Sequence, residues 1–400
     1  MSLAIINIGD SVEGSPGGAP IQGDAIVCEN GVITWIGDTA DIDPRTHATV
    51  VDAAGSTVLP GLIDSHVHST FGDYTPRQNT VGFLESYVHG GTTSVISASE
   101  VHVPGRPTDV EGVKALAVAA NRCYRDYRPG GMRVHAGSII LEPGLGLEDF
   151  KEIRELGVWL AKAGFGAFAS PSAYAPVIAA AKEAGIKVMF HTGGGSIPGS
   201  LDKITVDALL ETRPQISGHC NGGPTALTAE ENRRLVVEGR DIALQLVHAG
   251  NLRSAIHISE LALEEDQFHR IMIATDTPTG TGVIPLGMLR EMAELSSLGP
   301  LTPRQAVLAA TGNVAAVYEL NSGKIEVGRD ADLVVLDAPL GSAADDALGA
   351  FAIGDLPGIS TVITDGVVRL TKSRNTPTPK RAATVHHNVP VSAATTELVH

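Results

Sequence analysis

Two kinds of periodicity divide the 400-residue chain into a central stretch and two flanking ends. Between about residue 59 and residue 318, short runs rich in Val, Ile and Met alternate with longer segments rich in Ala, Leu and Glu. A short apolar run bounded by turn residues reads as a buried strand, and a longer segment with apolar positions three and four apart reads as an amphipathic helix. Strands are thus predicted near residues 59–66, 92–98, 133–141, 158–163, 186–191, 215–219, 241–247 and 270–275. Helices are predicted over 79–90, 108–124, 147–156, 174–185, 203–212, 228–238, 253–264, 284–298 and 302–318. Eight strand–helix units of this length imply an α/β fold, a TIM-like (β/α)8 barrel of parallel strands.

The ends have a different texture. Residues 3–8, 24–36 and 48–59 read as short strands broken by turns, and residues 324–336 and 359–371 repeat the pattern near the other terminus. Asn30-Gly31 and Asp365-Gly366 are the sharpest hairpin signals, because a two-residue type I′ turn needs left-handed backbone at both central positions. The two ends therefore combine into one small β-sandwich. The domain assignment is residues 1–58 with 322–383 for the sandwich, 59–321 for the barrel, and 384–400 as an extended arm suited to a neighbouring subunit.

Composition narrows the function. With 43% hydrophobic and 18% charged residues the chain has the balance of a compact globular enzyme, and a formal charge of −16 speaks against a nucleic-acid partner. Residues Met1 to Asp10 lack the basic start and apolar core of a signal peptide, and no apolar stretch approaches the ~20 residues of a membrane span. The expectation is a cytoplasmic protein without a membrane partner. Cys28, Cys123 and Cys220 have no metal-binding spacing and read as reduced thiols.

Barrel enzymes place their chemistry at the carboxyl ends of the strands, and five of these ends carry six polar residues able to ligate metal. His66 and His68 stand two apart, on one face of the first strand. Lys162 ends the fourth, His191 the fifth, His219 the sixth and Asp276 the eighth. Converging imidazoles and a carboxylate suit a first-row divalent cation. The plainer reading, six independently capped or buried polar residues, has to hold six times over. His135 lies within the third strand and fills the barrel interior, with contact to a metal ligand as the alternative, and His102 sits on the loop after the second strand, where lining the pocket is the lesser of its readings. His47, His89, His248, His257 and His269 read as structural or solvated. The glycines after His191 and His219 read as tight turns, because no Gly-Lys-Ser/Thr follows.

From Leu3 to about Ala383 the chain resembles the amidohydrolase superfamily, in particular its branch of cyclic amidases of the hydantoinase and enamidase kinds. Beyond the strand ends, the segments carrying the likeness are Gly72 to Gln78, Pro104 to Pro107, His191 to Gly194, Asn221 to Thr225, Asp276 to Gly282 and Lys372 to Pro377. The resemblance implies two divalent ions, zinc or iron, with His66 and His68 on one, His191 and His219 on the other, Lys162 bridging and Asp276 as ligand and proton carrier. It also implies a small-molecule cyclic amide as substrate and a homo-oligomer, a tetramer. The activity it implies is opening of a six-membered carboxylated enamide ring such as 6-oxo-1,4,5,6-tetrahydronicotinate. Other cyclic amidases (lactam, hydantoin or dihydropyrimidine hydrolases), N-acyl amide hydrolases and a non-catalytic homologue are the alternatives.

One position departs from the enamidase pattern, which has a glutamate where Lys162 precedes Gly164-Phe165-Gly166. An ammonium has no acceptor to offer a metal, but a neutral amine takes up carbon dioxide to give an anionic, bidentate carbamate. Carboxylated Lys162 is therefore the expected bridge. A strand register shifted by one residue, or a single ion, are the alternatives. For a substrate carboxylate, Arg77 is the first candidate and Arg106 the second, through bidentate guanidinium contacts. The competing reading pairs either arginine with a loop acid such as Asp73 or Asp109.

Overall fold

Parallel strands form at the predicted apolar runs, in a three-stranded sheet of Leu62–Val67, Thr92–Ser97 and Arg133–His135 and a six-stranded sheet. The larger sheet orders Ser138–Ile140, Leu160–Ala163, Lys187–His191, Ile216–Gly218, Ala243–Val247 and Ile271–Ala274 as they follow in the chain. A parallel bridge between Val67 and Thr277 joins the first strand of the smaller sheet to the end of the larger. The computed structural model describes residues 2–70, 77–100, 106–194, 202–222, 226–278 and 282–388, with the backbone alone over 77–81.

The predicted strand 133–141 is two strands. Between them Gly137 sits at φ +97°, where a Cβ would lie 2.6 Å from the Ala117 carbonyl oxygen, so the chain turns from one sheet into the other at a residue only glycine suits. The predicted helix 302–318 likewise divides into Pro303–Ala310 and Gly312–Tyr318, with Thr311 outside helical geometry. A short helix, Ala347–Ala352, is absent from the sequence reading because six residues are too few for a period to register.

Strand residues alternate between two apolar layers. Ile63, Ile96, Leu160, Met189, Ile216 and Met272, drawn from both parallel sheets, form one cluster with Val314 and Tyr318. Their neighbours Val95, Ala161, Val188, Phe190, Leu244 and Ile273 pack instead against helix residues such as Phe150, Ile178, Leu209, Leu235, Ile258 and Met292. Burial on both faces explains why these strands read as continuous apolar runs.

The chain ends build two five-stranded sheets. One orders Thr384–His387, Thr49–Asp52, Ser2–Ile6, Ala25–Glu29 and Val32–Gly37; the other orders Val367–Leu370, Gly358–Thr364, Leu333–Asp337, Thr57–Pro60 and Asp10–Ser11. Leu3, Ile5, Ile26 and Val51 of the first share a core with Val58, Leu333, Val335 and Ile363 of the second. Both hairpin turns are left-handed at both residues, Asn30 (φ 51°) with Gly31 (φ 84°) and Asp365 (φ 51°) with Gly366 (φ 67°). The arm expected from residue 384 starts as a strand, because Thr49–Asp52 offers a free sheet edge and Thr384–His387 pairs antiparallel with it. Residues 389–400 of that expectation lie outside the described residues. Among the described residues no helix is long and apolar enough to cross a membrane.

Candidate metal centre

All six strand-end residues meet. Asp276 Oδ1 lies 3.2 Å from His66 Nε2 and 3.3 Å from His68 Nε2. These three ligand atoms fall within 4.8 Å of one another. Lys162 Nζ is 3.4 Å from His66 Nε2, so the strand register places the lysine itself in the cluster. His191 Nδ1 and His219 Nε2 are 2.7 Å apart, and the rings of His219 and His66 are 5.2 Å apart. His219 (φ 37°) and Asp276 (φ 57°) both hold left-handed backbone, a conformation costing about 1–3 kcal/mol that persists where the surroundings enforce it.

The electrostatics suit a cation. Burial, reinforced by neighbouring positive groups, holds His66 and His191 well below the ordinary histidine range, and burial brings His219 down to about 4. Imidazoles held neutral are in the form that ligates. Burial pushes the Asp276 carboxyl upward, but His66, His68 and His219 outweigh it and keep the group well below its usual range, hence anionic. Burial draws the Lys162 amine down to about 8 against the opposing pull of Asp276. His191 Nε2 and His219 Nδ1 are buried without a hydrogen-bond partner among the described residues. Neutral imidazoles, an anionic carboxylate and orphaned ring nitrogens together fit a divalent cation.

Sequence reasoning missed Gln245, in the middle of Ala243–Val247. Its amide donates to Ser65 O (3.0 Å) and Ser65 Oγ (2.8 Å), which fixes its oxygen toward His66 Nδ1 at 2.5 Å. An amide oxygen only accepts, so Nδ1 carries the proton and Nε2 presents its lone pair to the cluster. The same oxygen accepts from the His219 backbone N–H at 3.2 Å. The available signal was one polar residue inside an apolar strand. Gln245→Leu is expected to weaken metal affinity about 10–100-fold in chelator competition. Unchanged affinity would show that His66 is oriented by other contacts.

The two arginines have different standings. Arg106 ion-pairs with buried Glu142 and donates to Phe165 O (2.5 Å) and Pro107 O (2.9 Å), so its acid partner is Glu142. Asp109, the expected partner, instead caps the helix Val110–Arg125 by accepting from Gly112 N at 2.9 Å. The Arg77 side chain lies outside the described residues, as do His102 and the sequence segments 71–76, 101–105, 223–225 and 279–281. Cys220 turns from the cluster and donates to Gln245 O at 3.2 Å.

His135 packs edge-on against Trp159, ring centroids 5.4 Å apart, with Nε2 buried and unpartnered among the described residues. Burial, with Arg133 and Arg128 nearby, takes its pKa from 6.5 down to about 4. A histidine depressed by folding contributes stability above its unfolded pKa, and that contribution is lost as pH falls toward the folded value. Stability in denaturant titrations should therefore decline between pH 6.5 and about 4, and His135→Gln should flatten the slope by up to one proton. An unchanged slope would remove His135 as a source.

Residues 57–369 match the model of the Amidohydrolase family. An enamidase of Eubacterium barkeri is 48% identical over 387 residues, 96% of this chain and 100% of that protein. An imidazolonepropionase of Pseudomonas syringae pv. tomato is 26% identical, over 78% of this chain and 87% of its own. A crystal structure of enamidase superposes with a TM-score of 0.91 at 46% identity, covering 96% of this chain and 100% of that one. A D-hydantoinase structure shares the fold, with a TM-score of 0.62 at 17% identity, over 96% of this chain and 99% of that one. A family match spanning the parallel strands and their site, and near-half identity along almost the whole length, lead to one conclusion: the chain belongs to the amidohydrolase family.

Proposed function

We propose that the chain is a metal-dependent hydrolase that opens a cyclic amide of the enamidase kind, on a six-membered carboxylated enamide ring such as 6-oxo-1,4,5,6-tetrahydronicotinate. The observation that carries this reading is the convergence of His66, His68, Lys162, His191, His219 and Asp276 in a chain 48% identical to an enamidase over 96% of its length. The architecture taken with it is a closed (β/α)8 barrel, supported by the apolar cluster shared between the two parallel sheets. The end strands are taken as one β-sandwich, supported by their common core.

In this reading His66, His68 and Asp276 would hold one ion and His191 and His219 a second, zinc or iron, with carboxylated Lys162 as the ligand they would share. When bound, such ions acidify water to near neutrality and polarise an amide carbonyl. Asp276, anionic at rest and 20% exposed, accepts a proton from the attacking water and delivers it to the ring nitrogen as the carbon–nitrogen bond breaks. The hydroxyl stays on the acyl carbon, giving a carboxylate. The freed enamine tautomerises to an imine, which takes up a second water and releases ammonia to leave an aldehyde. The ring carboxylate is assigned to Arg77, since the guanidinium of Arg106 is already engaged by Glu142, Phe165 and Pro107.

The test is ultraviolet-monitored ring opening of 6-oxo-1,4,5,6-tetrahydronicotinate by metal-replete protein, with ammonia counted in parallel. Loss of the enamide absorbance with one ammonia per ring supports the assignment. No turnover from protein carrying metal overturns it in favour of the second reading, another cyclic amidase of hydantoins, dihydropyrimidines or lactams. Lys162, where the sequence departs from the pattern that the resemblance to enamidases implies, is the feature that favours that alternative.

A further inference from the structure

A second cluster of ligating side chains lies apart from the six strand-end residues. His248 directly follows the strand Ala243–Val247, and Glu291 and Glu294 stand about one turn apart on the helix Gly287–Ser297. The backbone N–H of His248 donates to Ala274 O at 3.0 Å and that of Ala249 to Thr275 O at 3.1 Å. The loop is thus pinned beside the turn that carries Asp276, while the imidazole faces the helix. His248 Nδ1 lies 3.7 Å from Glu291 Oε2 and 3.5 Å from Glu294 Oε2, and the three side chains each place a ligand atom within 4.8 Å of the others.

A direct imidazolium–carboxylate hydrogen bond closes to about 2.7–2.9 Å, and neither gap does so. The gaps are close to those between ligands sharing an ion. With zinc–nitrogen and zinc–oxygen bonds of about 2.0–2.2 Å in a tetrahedral site, ligand atoms stand about 3.4 Å apart. Burial gives a second, independent indication. Glu291 is 2% exposed, and its Oε1, like His248 Nδ1, has no hydrogen-bond partner among the described residues. A buried carboxylate beside a second carboxylate needs a compensating positive charge. Facing Glu291 and Glu294, the His248 imidazole is raised to about 9, so a dication would bind there in exchange for that proton, leaving a neutral imidazole and two carboxylates in balance with it; Glu294, 32% exposed, leaves an approach from solvent and room for water to complete the coordination.

We propose that His248, Glu291 and Glu294 form a divalent-cation site, distinct from the strand-end cluster, that fastens the helix Gly287–Ser297 to the end of the strand Ala243–Val247. One nitrogen and two oxygen donors suit zinc and its first-row neighbours. The proposal does not depend on the amide-hydrolase reading, because no side chain is shared between the two clusters.

The experiment uses the full chain equilibrated with zinc. Crystals of the wild type are measured at the zinc absorption edge, and zinc per chain is counted by elemental analysis for the wild type, Glu294→Gln and Glu291→Gln/Glu294→Gln under identical conditions. Expected are anomalous density among the three side chains and one zinc fewer per chain in the double variant. The exposed position of Glu294 makes the single variant a substitute if the double variant does not fold, and the wild-type map requires no variant. Absence of anomalous density among the three side chains overturns the proposal and leaves an imidazolium held by two glutamates.

Discussion

Asp276→Asn is expected to lower turnover by about 10²–10⁴-fold, the range removed with a general acid–base group, while metal content stays unchanged. The amide has the carboxylate's shape and retains an oxygen toward His66 and His68, so packing and ligation survive. It lacks the charge, and it cannot take a proton from water and pass it on. The native group is ionised at rest despite its burial, and that is the form able to take a proton. Its position is enforced from both sides. Thr275 Oγ1 donates to Asp64 Oδ2 at 2.5 Å and lies 2.8 Å from Thr277 Oγ1, and Tyr87 hydrogen-bonds the same Thr277 hydroxyl. The left-handed backbone at residue 276 is thus gripped by buried hydroxyls and one buried acid. Steady-state kinetics at saturating substrate, with elemental analysis of the same preparation, decide the role. Full activity would remove Asp276 from the chemistry, and joint loss of activity and metal would make it a ligand only.

The strand ends were legible because an apolar run closing on a polar residue is a local signal, and parallel burial on both faces leaves that residue few other places. His66, His68, Lys162, His191, His219 and Asp276 all carry it, and all converge. Gln245 carries no such signal. It sits inside its strand, and its partner His66 is 179 positions away in the chain. Arg106 was open to misreading for a related reason, since its acid Glu142 arrives from a different strand–helix unit. Gly137 shows the limit for elements: the apolar pattern continues through residues 133–141, and only the close approach of the Ala117 carbonyl breaks the strand. His248 follows a strand just as the metal-cluster histidines do, yet reads as structural until Glu291 and Glu294 are seen to face it from a distant helix.

Lys162→Ala is expected to reduce both metal content and activity, the latter by more than the ~100-fold that outer-shell partners command, and a short carboxylic acid such as acetate or propionate should restore part of each. The lysine side chain is 1% exposed, with Nζ 3.4 Å from His66 Nε2 and 3.4 Å from Met189 Sδ. An ammonium there would face imidazoles held neutral and any bound cation, with no acceptor to offer either. Burial draws the amine down to about 8, so an appreciable fraction is neutral near physiological pH. The neutral amine attacks carbon dioxide and loses a proton, which gives a carbamate, an anionic ligand with two oxygen donors. Truncation to alanine removes that ligand and leaves a cavity beside His66 in which a free carboxylate fits. Metal content falling from two ions to one, with activity returning as acetate is added, would identify the lysine as the bridge. Unchanged metal and full activity in Lys162→Ala would instead remove it from the ligand set, and His66, His68 and Asp276 would then stand as a single-ion site.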